Sequence, residues 1–141
     1  MKDKQIFVDT NILVYAFDKD AGEKHKLAKK KIEFLWNRSL TPAVSVQVLQ
    51  EVYVNLIKKN VPAEESKKTI TDYIQWNVID NDVALLLEGI RLRERWQISF
   101  WDSLIIAAAK YAKAGIIWSE NFSTNQEYDG ITVINPIAGK D

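Results

Sequence analysis

The sequence has no cysteine and only one histidine among its 141 residues. Without cysteine it can form no disulfide framework, no thiolate nucleophile and no cysteine-built zinc site, which suits a reducing cytosol. The single histidine, His25, excludes a histidine-rich metal site. Long apolar runs are also missing, and the charged amino-terminal segment predicts neither a signal peptide nor a membrane span of about 20 apolar residues. We therefore expect a soluble cytoplasmic protein with no membrane partner.

The sequence also lacks an excess of charge of either sign. Lys plus Arg number 19 and Asp plus Glu number 19, so the overall charge gives no indication of a nucleic-acid partner. Lysines crowd residues 24–31 and arginines residues 91–95, but such runs are usually solvated helix faces. Apolar residues make up 47% of the chain and include five tryptophans, enough for one sizeable core. At this length we expect a single domain over residues 1–141.

Short apolar strands alternate along the chain with segments of helical periodicity. The strands are predicted at residues 6–8, 42–44, 78–79, 116–118 and 131–134. The helices are predicted at residues 12–17, 23–36, 46–58, 62–75, 83–96 and 100–114, the last closed by Gly115. The predicted N-caps of the third, fifth and sixth helices are Ser45, either Asn81 or Asp82, and Ser99, respectively. Strands that are apolar throughout and alternate with helices indicate an α/β fold, with a central parallel sheet of about five strands covered on both faces.

Ligands on such sheets bind beyond the carboxyl ends of the strands, and two polar residues lie there. Asp9 directly follows the first strand, and Asn121 lies just past the strand that ends near Trp118. Asp9 has a second interpretation, because an aspartate that ends a strand commonly caps a helix or forms an Asx-turn. Both interpretations remain open from the local pattern.

Glu51 belongs to a polar stripe on the third predicted helix. Gln47, Glu51 and Asn55 follow one another at intervals of four residues, opposite an apolar face. Such a stripe more often faces solvent than a ligand, so periodicity alone does not single out Glu51.

Asp102 shares a helix face with core residues, since Ile105 and Ile106 stand one turn further on. An unpaired buried carboxylate costs several kcal/mol, which a cation or strong donors must offset. A capping box explains the position equally well, with Ser99 as the N-cap and Asp102 three residues later.

Taken together, the acidic residues are stronger evidence for a metal site than any one of them alone. A hard divalent cation such as Mg²⁺ prefers oxygen ligands and is usually held by one or two carboxylates together with substrate phosphate oxygens. Carboxylates brought together at one edge of a sheet repel each other and raise each other's pKa, and a bound cation relieves both effects. Several carboxylates at the carboxyl edge would therefore suit a magnesium site.

Four motifs in order along the chain resemble the PIN domain, and within it the toxin ribonuclease branch called VapC. They are Val8-Asp9-Thr10-Asn11, Gln50-Glu51-Val52-Tyr53, Ser99-Phe100-Trp101-Asp102-Ser103-Leu104-Ile105 and Ser119-Glu120-Asn121-Phe122. The closing segment, residues 129–136, is also similar to the family's ending. The resemblance spans nearly the whole chain and implies a PIN-like three-layer α/β/α sandwich.

The resemblance implies a catalytic site of four positions. Asp9 and Asp102 would hold Mg²⁺ or Mn²⁺ directly, and Glu51 would bind it directly or through water. Asn121 falls on the fourth position, where the family has an acidic residue, so this sequence departs from the pattern by one amide. Thr10 and Asn11 would steady the loop that carries Asp9.

The activity implied by the resemblance is metal-dependent endonucleolytic cleavage of RNA phosphodiesters. The protein would be a homodimeric toxin, paired with a small antitoxin protein. A PIN-fold nuclease that acts in RNA processing or on DNA is an alternative, and so is a PIN-fold binding module with weakened catalysis. A phosphotransfer enzyme with Asp9 as nucleophile is a further alternative. Phosphatases with an aspartate nucleophile have a second aspartate two residues later, however, where this sequence has Asn11.

Overall fold

The computed structural model describes residues 4–138, in which short strands alternate with helices. The strands are β1 (Ile6–Val8), β2 (Ala43–Ser45), β3 (Asn77–Ile79), β4 (Ile116–Trp118), β5 (Glu127–Tyr128) and β6 (Ile131–Ile134). The helices are α1 (Thr10–Phe17), α2 (Glu23–Asn37), α3 (Val46–Lys58), α4 (Ala63–Tyr73), α5 (Val83–Trp96) and α6 (Phe100–Tyr111). A short 3₁₀ turn, Lys19–Ala21, joins α1 to α2.

The strands form one mixed sheet in the order β3-β2-β1-β4-β6-β5. The first five strands in that order run parallel, and β5 pairs antiparallel with β6. The predicted α/β class, with a central parallel sheet and flanking helices, is confirmed. The sixth strand, β5, has only two residues and returns through Asp129 and Gly130, whose φ angles of 51° and 89° suit a two-residue type I′ hairpin turn.

Three helices begin at the residues that the sequence predicts as caps. Ser45, Asp82 and Ser99 each accept a hydrogen bond from a backbone N–H in the first turn of α3, α5 and α6, respectively. A side-chain oxygen that satisfies one of the free N–H groups at a helix start stabilises that start by about 1 kcal/mol. The capping residues therefore fix where these helices leave the carboxyl edge of the sheet.

The core is centred on β1, β4 and α6. Phe7, Val8 and Ile117 are fully buried in the two central strands. Residues 103–109 of α6 are all buried, and the run of alanines Ala107–Ala109 lets this helix approach its neighbours closely. A helix packed this tightly has a fixed position, so the residues of its first turn have one as well.

The predicted end of α6 is wrong. The helix ends at Tyr111 rather than Ala114, and Lys113, with φ 58°, is the left-handed residue instead of Gly115. The Ala114 amide bonds to the Ala109 carbonyl, which turns the chain out of the helix. The Gly115 amide then donates to the Gln5 carbonyl and starts the pairing of β4 with β1. Sheet pairing, rather than glycine, ends this helix.

Charged side chains join α5, α6 and the β5–β6 turn in one ion-pair network. Asp129 accepts hydrogen bonds from Arg91 (3.0 Å), Arg95 (2.9 Å), Trp96 (3.0 Å) and Lys110 (2.9 Å). Two residues of the arginine run are therefore paired rather than free in solvent. Across residues 4–138, no helix is long and apolar enough to cross a bilayer.

Candidate active site

Asp9 lies between β1 and α1 and is 4% exposed. Its Oδ1 accepts from the Thr10 amide at 2.7 Å, and its Oδ2 accepts from the Ser119 hydroxyl at 2.8 Å. Burial raises the pKa of Asp9 to about 6, although these two hydrogen bonds lower it; the charges of Glu51 and Asp102 raise it further. Asp9 is thus the N-cap of α1, as the capping interpretation of its sequence position predicts, and its carboxylate has a raised pKa.

Glu51 is half-buried in the middle of α3. Its Oε1 accepts from the Thr10 hydroxyl at 2.5 Å, and its Oε2 from the Gln47 amide at 3.3 Å. Gln47 is itself buried, so the polar stripe of α3 faces the protein rather than solvent. Thr10 therefore connects the loop of Asp9 to the helix of Glu51, a contact between residues 41 positions apart.

Asp102 lies in the first turn of α6 and is partly buried. Its amide donates to the Ser99 hydroxyl at 3.1 Å, whereas the Ser99 amide makes no return bond to the Asp102 carboxylate. The capping box is therefore half-formed. Burial raises the pKa of Asp102 and the charge of Glu51 raises it further, while the Ser99 hydroxyl lowers it.

Asn121 follows β4 at the same edge of the sheet, and its side chain is exposed. Its amide nitrogen in the backbone donates to the Ser119 hydroxyl at 3.0 Å. Within residues 4–138 the Asn121 side chain has no hydrogen bond that would tie it to the three carboxylates. The Ser119 hydroxyl accepts this local bond and also donates to Asp9.

The three carboxylates lie close enough together to form one acidic mouth, where their charges help to raise the pKa of Asp9 and of Asp102. The negative charges of Glu51 and Asp102 raise the pKa of Asp9, and the charge of Glu51 raises the pKa of Asp102. In the described part of the chain, however, no three His, Cys, Asp or Glu side chains are gathered tightly enough to hold a metal ion as they stand. Thr10, Gln47 and Ser119 occupy several of the carboxylate oxygens instead.

A family model matches residues 6–123 of the chain, and its description is the PIN domain. The chain belongs to the PIN domain family. PIN domains are nucleases, that is, enzymes that hydrolyse phosphodiesters, and the acidic mouth described above lies in a fold of this family. The comparison with curated protein sequences gave no match.

Several solved structures share the fold of this PIN domain. A toxin–antitoxin complex from Klebsiella pneumoniae is 22% identical, with a TM-score of 0.71 over 94% of this chain and 98% of that one. VapC20 from Mycobacterium tuberculosis, a Sarcin–Ricin loop cleaving toxin, is 17% identical, with a TM-score of 0.64 over 83% and 90%. VapBC2 from Rickettsia felis, bound to a DNA fragment from its promoter, is 21% identical, with a TM-score of 0.62 over 91% and 96%.

The donor set of this PIN domain fits a hard divalent cation. The described side chains at the mouth are carboxylates, hydroxyls and the Gln47 amide, and all of them contain oxygen. They include no thiol or imidazole group, which would select a softer metal. Burial, and to a smaller extent neighbouring negative charge, raises the pKa of Asp9 and of Asp102, and a bound cation would favour the ionised form of both. Asp9, Glu51 and Asp102 are the residues that would hold the ion.

Proposed function

We propose that this PIN domain is a Mg²⁺- or Mn²⁺-dependent endoribonuclease and the toxin of a toxin–antitoxin pair. The observation that carries the proposal is the group of three mutually interacting carboxylates, Asp9, Glu51 and Asp102, at the carboxyl edge of the sheet. Each stands on a different element, and each lies beside a hydroxyl that holds or caps its position. Metal-assisted phosphodiester hydrolysis requires oxygen ligands, and small movements of these carboxylates would bring them to a common ion.

The residues of the mouth would have different roles in hydrolysis. A dication held there would lower the pKa of a bound water and offset charge on the scissile phosphate. Asp9, with a pKa of about 6, is mostly ionised at neutral pH and would offer an anionic oxygen to a cation. Ser119 and Thr10 fix the directions of the Asp9 and Glu51 carboxylates. Glu51, which Gln47 also orients, is suited to orient the attacking water.

Asn121 is proposed as the fourth corner of the site, where an amide oxygen replaces a carboxylate. An amide oxygen can coordinate a cation or orient water, but it supplies no negative charge. The loss of one charge favours a weaker second metal position. It is also the reason to test a binding module without catalysis as the second candidate function.

The proposed partners are an RNA substrate, a small antitoxin protein and a second copy of the chain. The Klebsiella pneumoniae structure is a toxin–antitoxin complex, and VapC20 is a toxin that cleaves the Sarcin–Ricin loop. These neighbours, together with the sequence resemblance to VapC toxins, support the proposal. Oxygen ligands for Mg²⁺ and the absence of a catalytic histidine or cysteine agree with it.

The proposal is tested by assaying wild type, Asp9→Asn and Asp102→Asn on structured RNA with Mn²⁺ and with EDTA. We expect cleavage by wild type only with metal, and a loss of about 100-fold or more in each variant, because a neutral amide replaces an anionic ligand. Asp20→Asn, on an exposed turn, is the matched control and should cleave normally. Full activity in EDTA contradicts metal-assisted cleavage, and RNA binding without cleavage by wild type favours the binding module.

A further inference from the structure

One lysine side chain is fixed beside the loop that follows β4. Lys24, in the first turn of α2, donates from Nζ to Glu120 Oε2 at 2.5 Å. The same ammonium lies 5.0 Å from the centre of the Tyr15 ring, and the Tyr15 hydroxyl donates to Glu120 Oε1 at 2.7 Å. A carboxylate and an aromatic ring therefore hold the Lys24 head in one place, while 47% of its side chain stays exposed.

The residue that holds Lys24 is bonded to the candidate active site. The Glu120 amide donates to Asn11 Oδ1 at 3.1 Å, and Ser119, the preceding residue, donates to Asp9. Burial acts to raise the pKa of Glu120, but the bonds from Lys24 and Tyr15 lower it more, so it stays below its ordinary value. A short series of hydrogen bonds thus fixes the Lys24 ammonium relative to the Asp9 carboxylate.

A polyanionic substrate needs positive charge at this mouth. Asp9, Glu51 and Asp102 repel the phosphates of an RNA strand, and a cation at the rim offsets part of that repulsion. An ammonium has three N–H donors. Glu120 accepts from Lys24, and the exposure of Lys24 leaves further donors open to an incoming oxyanion.

We propose that Lys24 binds a backbone phosphate of the RNA strand next to the scissile phosphate, with Glu120 and Tyr15 as its positioning residues. The inference rests on the proposed ribonuclease function and names a substrate subsite of the same mouth. The ligand is the phosphodiester backbone of a single strand, so the contact carries no base specificity.

The test measures binding of a short labelled single-stranded RNA in EDTA, at salt concentrations from about 50 to 200 mM. We expect Lys24→Met to weaken binding by about three- to tenfold and to reduce the salt dependence of log K by about 0.7, the share of one phosphate contact on a single strand. Lys24→Arg keeps the charge and should retain most of the affinity. Lys30→Met, an exposed lysine elsewhere on α2, is the matched control and should leave the salt dependence unchanged.

Glu120→Gln distinguishes a phosphate contact from a merely structural ion pair. It removes a negative charge and releases Lys24 while keeping an oxygen that can accept from Tyr15, so we expect tighter RNA binding. If the pair only stabilises the loop, Lys24→Met and Glu120→Gln should instead both weaken binding. Melting curves of each variant show whether it is folded.

The outcomes separate this subsite from the ribonuclease function. Equal affinity and salt dependence for wild type and Lys24→Met, or equal losses for Lys24→Met and Lys30→Met, overturn the subsite, as does the absence of RNA binding by wild type. Cleavage of the same RNA with Mn²⁺ is measured in parallel. Binding that depends on Lys24 without cleavage contradicts the ribonuclease proposal alone, and cleavage without dependence on Lys24 contradicts the subsite alone.

Discussion

Asp9 carries a negative charge in a place from which solvent is nearly excluded. Its pKa is about 6 in the folded protein and 3.8 as its ordinary value, so the folded state binds this proton more tightly than the unfolded state. The stability that the proton contributes is fully present below about pH 4 and is lost as the pH rises through about 6. The difference between the two pKa values corresponds to about 3 kcal/mol.

We therefore predict that Asp9→Asn stabilises the metal-free protein at neutral pH. The amide keeps the size of the side chain and has no charge to bury, so the gain should approach about 3 kcal/mol at pH 7.5 and vanish near pH 4. Urea unfolding in EDTA at several pH values measures it. Asp20→Asn should show no such trend, because Asp20 is exposed. A stability difference between wild type and Asp9→Asn that does not change with pH would refute the prediction.

The residues of the mouth were predictable from sequence to different degrees. Asp9 stands out because it ends an apolar strand. The hydrogen-bond partners of the carboxylates cannot be recognised in the sequence, because Ser119 lies 110 residues from Asp9 and Thr10 lies 41 residues from Glu51. Periodicity and capping rules compare residues three or four apart, so they cannot detect such bonds. Helical periodicity also favoured a solvent-facing position for the polar stripe that contains Gln47 and Glu51, whereas the packing of α3 turns this stripe toward the protein.

At the scale of elements, the β5–β6 turn is fastened to two helices by one carboxylate. Asp129 is 13% exposed and neutralises part of the charge of Arg91, Arg95 and Lys110, which lie on α5 and α6. Burial would raise the pKa of Asp129, but its hydrogen bonds, from Lys110 first, hold it below the ordinary range. The stability from this ionised carboxylate is present above about pH 4 and is lost on acidification, the reverse of Asp9.

We predict that Asp129→Asn destabilises the protein by about 2 kcal/mol at pH 7, since hydrogen bonds to charged groups contribute about 1.5–3 kcal/mol. Asparagine accepts the left-handed backbone of this turn, so the change tests the charge and not the turn. The loss should shrink as the pH falls below about 4. Asp72→Asn, which breaks the exposed pair with Lys68, is the control and should cost less than about 0.5 kcal/mol in urea unfolding. Equal losses in the two variants would contradict the prediction.

Helix starts were predicted better than helix ends and short strands. A cap is a local contact, and Ser45, Asp82 and Ser99 were recognisable without knowing the fold. The end of α6 depends on the pairing of β4 with β1, and β5 forms by antiparallel pairing with β6. Such tertiary interactions override local signals.

At the scale of the whole molecule, α5 presents an apolar stripe that the described chain leaves uncovered. Val83, Leu86, Leu87 and Ile90 are all exposed, and Trp101 of α6 is 64% exposed. Their spacing along α5 puts them on one face, and a helix face can pack against its own copy about a two-fold axis. The charges of α5 have both signs, as a self-complementary interface needs. This stripe supports the proposed homodimer.

We predict that wild type has about twice the chain mass of 16.2 kDa in light scattering and that Leu87→Glu is monomeric. Leu87 is 61% exposed, so the new charge disrupts the interface without entering the core. Phe34→Glu, at an equally exposed apolar position on α2, should remain dimeric. A monomeric wild type, or a dimeric Leu87→Glu, would rule out this interface.

The order of strands in the sheet has a consequence during synthesis. β1 is translated before its neighbour β4, which lies more than a hundred residues later in the sequence, and β6 lies later still. The hydrogen bond from Ser119 to Asp9 therefore cannot form while translation is still at the middle helices. Pairing between such distant segments is slow to form. A nascent chain therefore carries the acidic residues before their mouth is assembled, so the proposed ribonuclease activity would appear only after β4 has been translated.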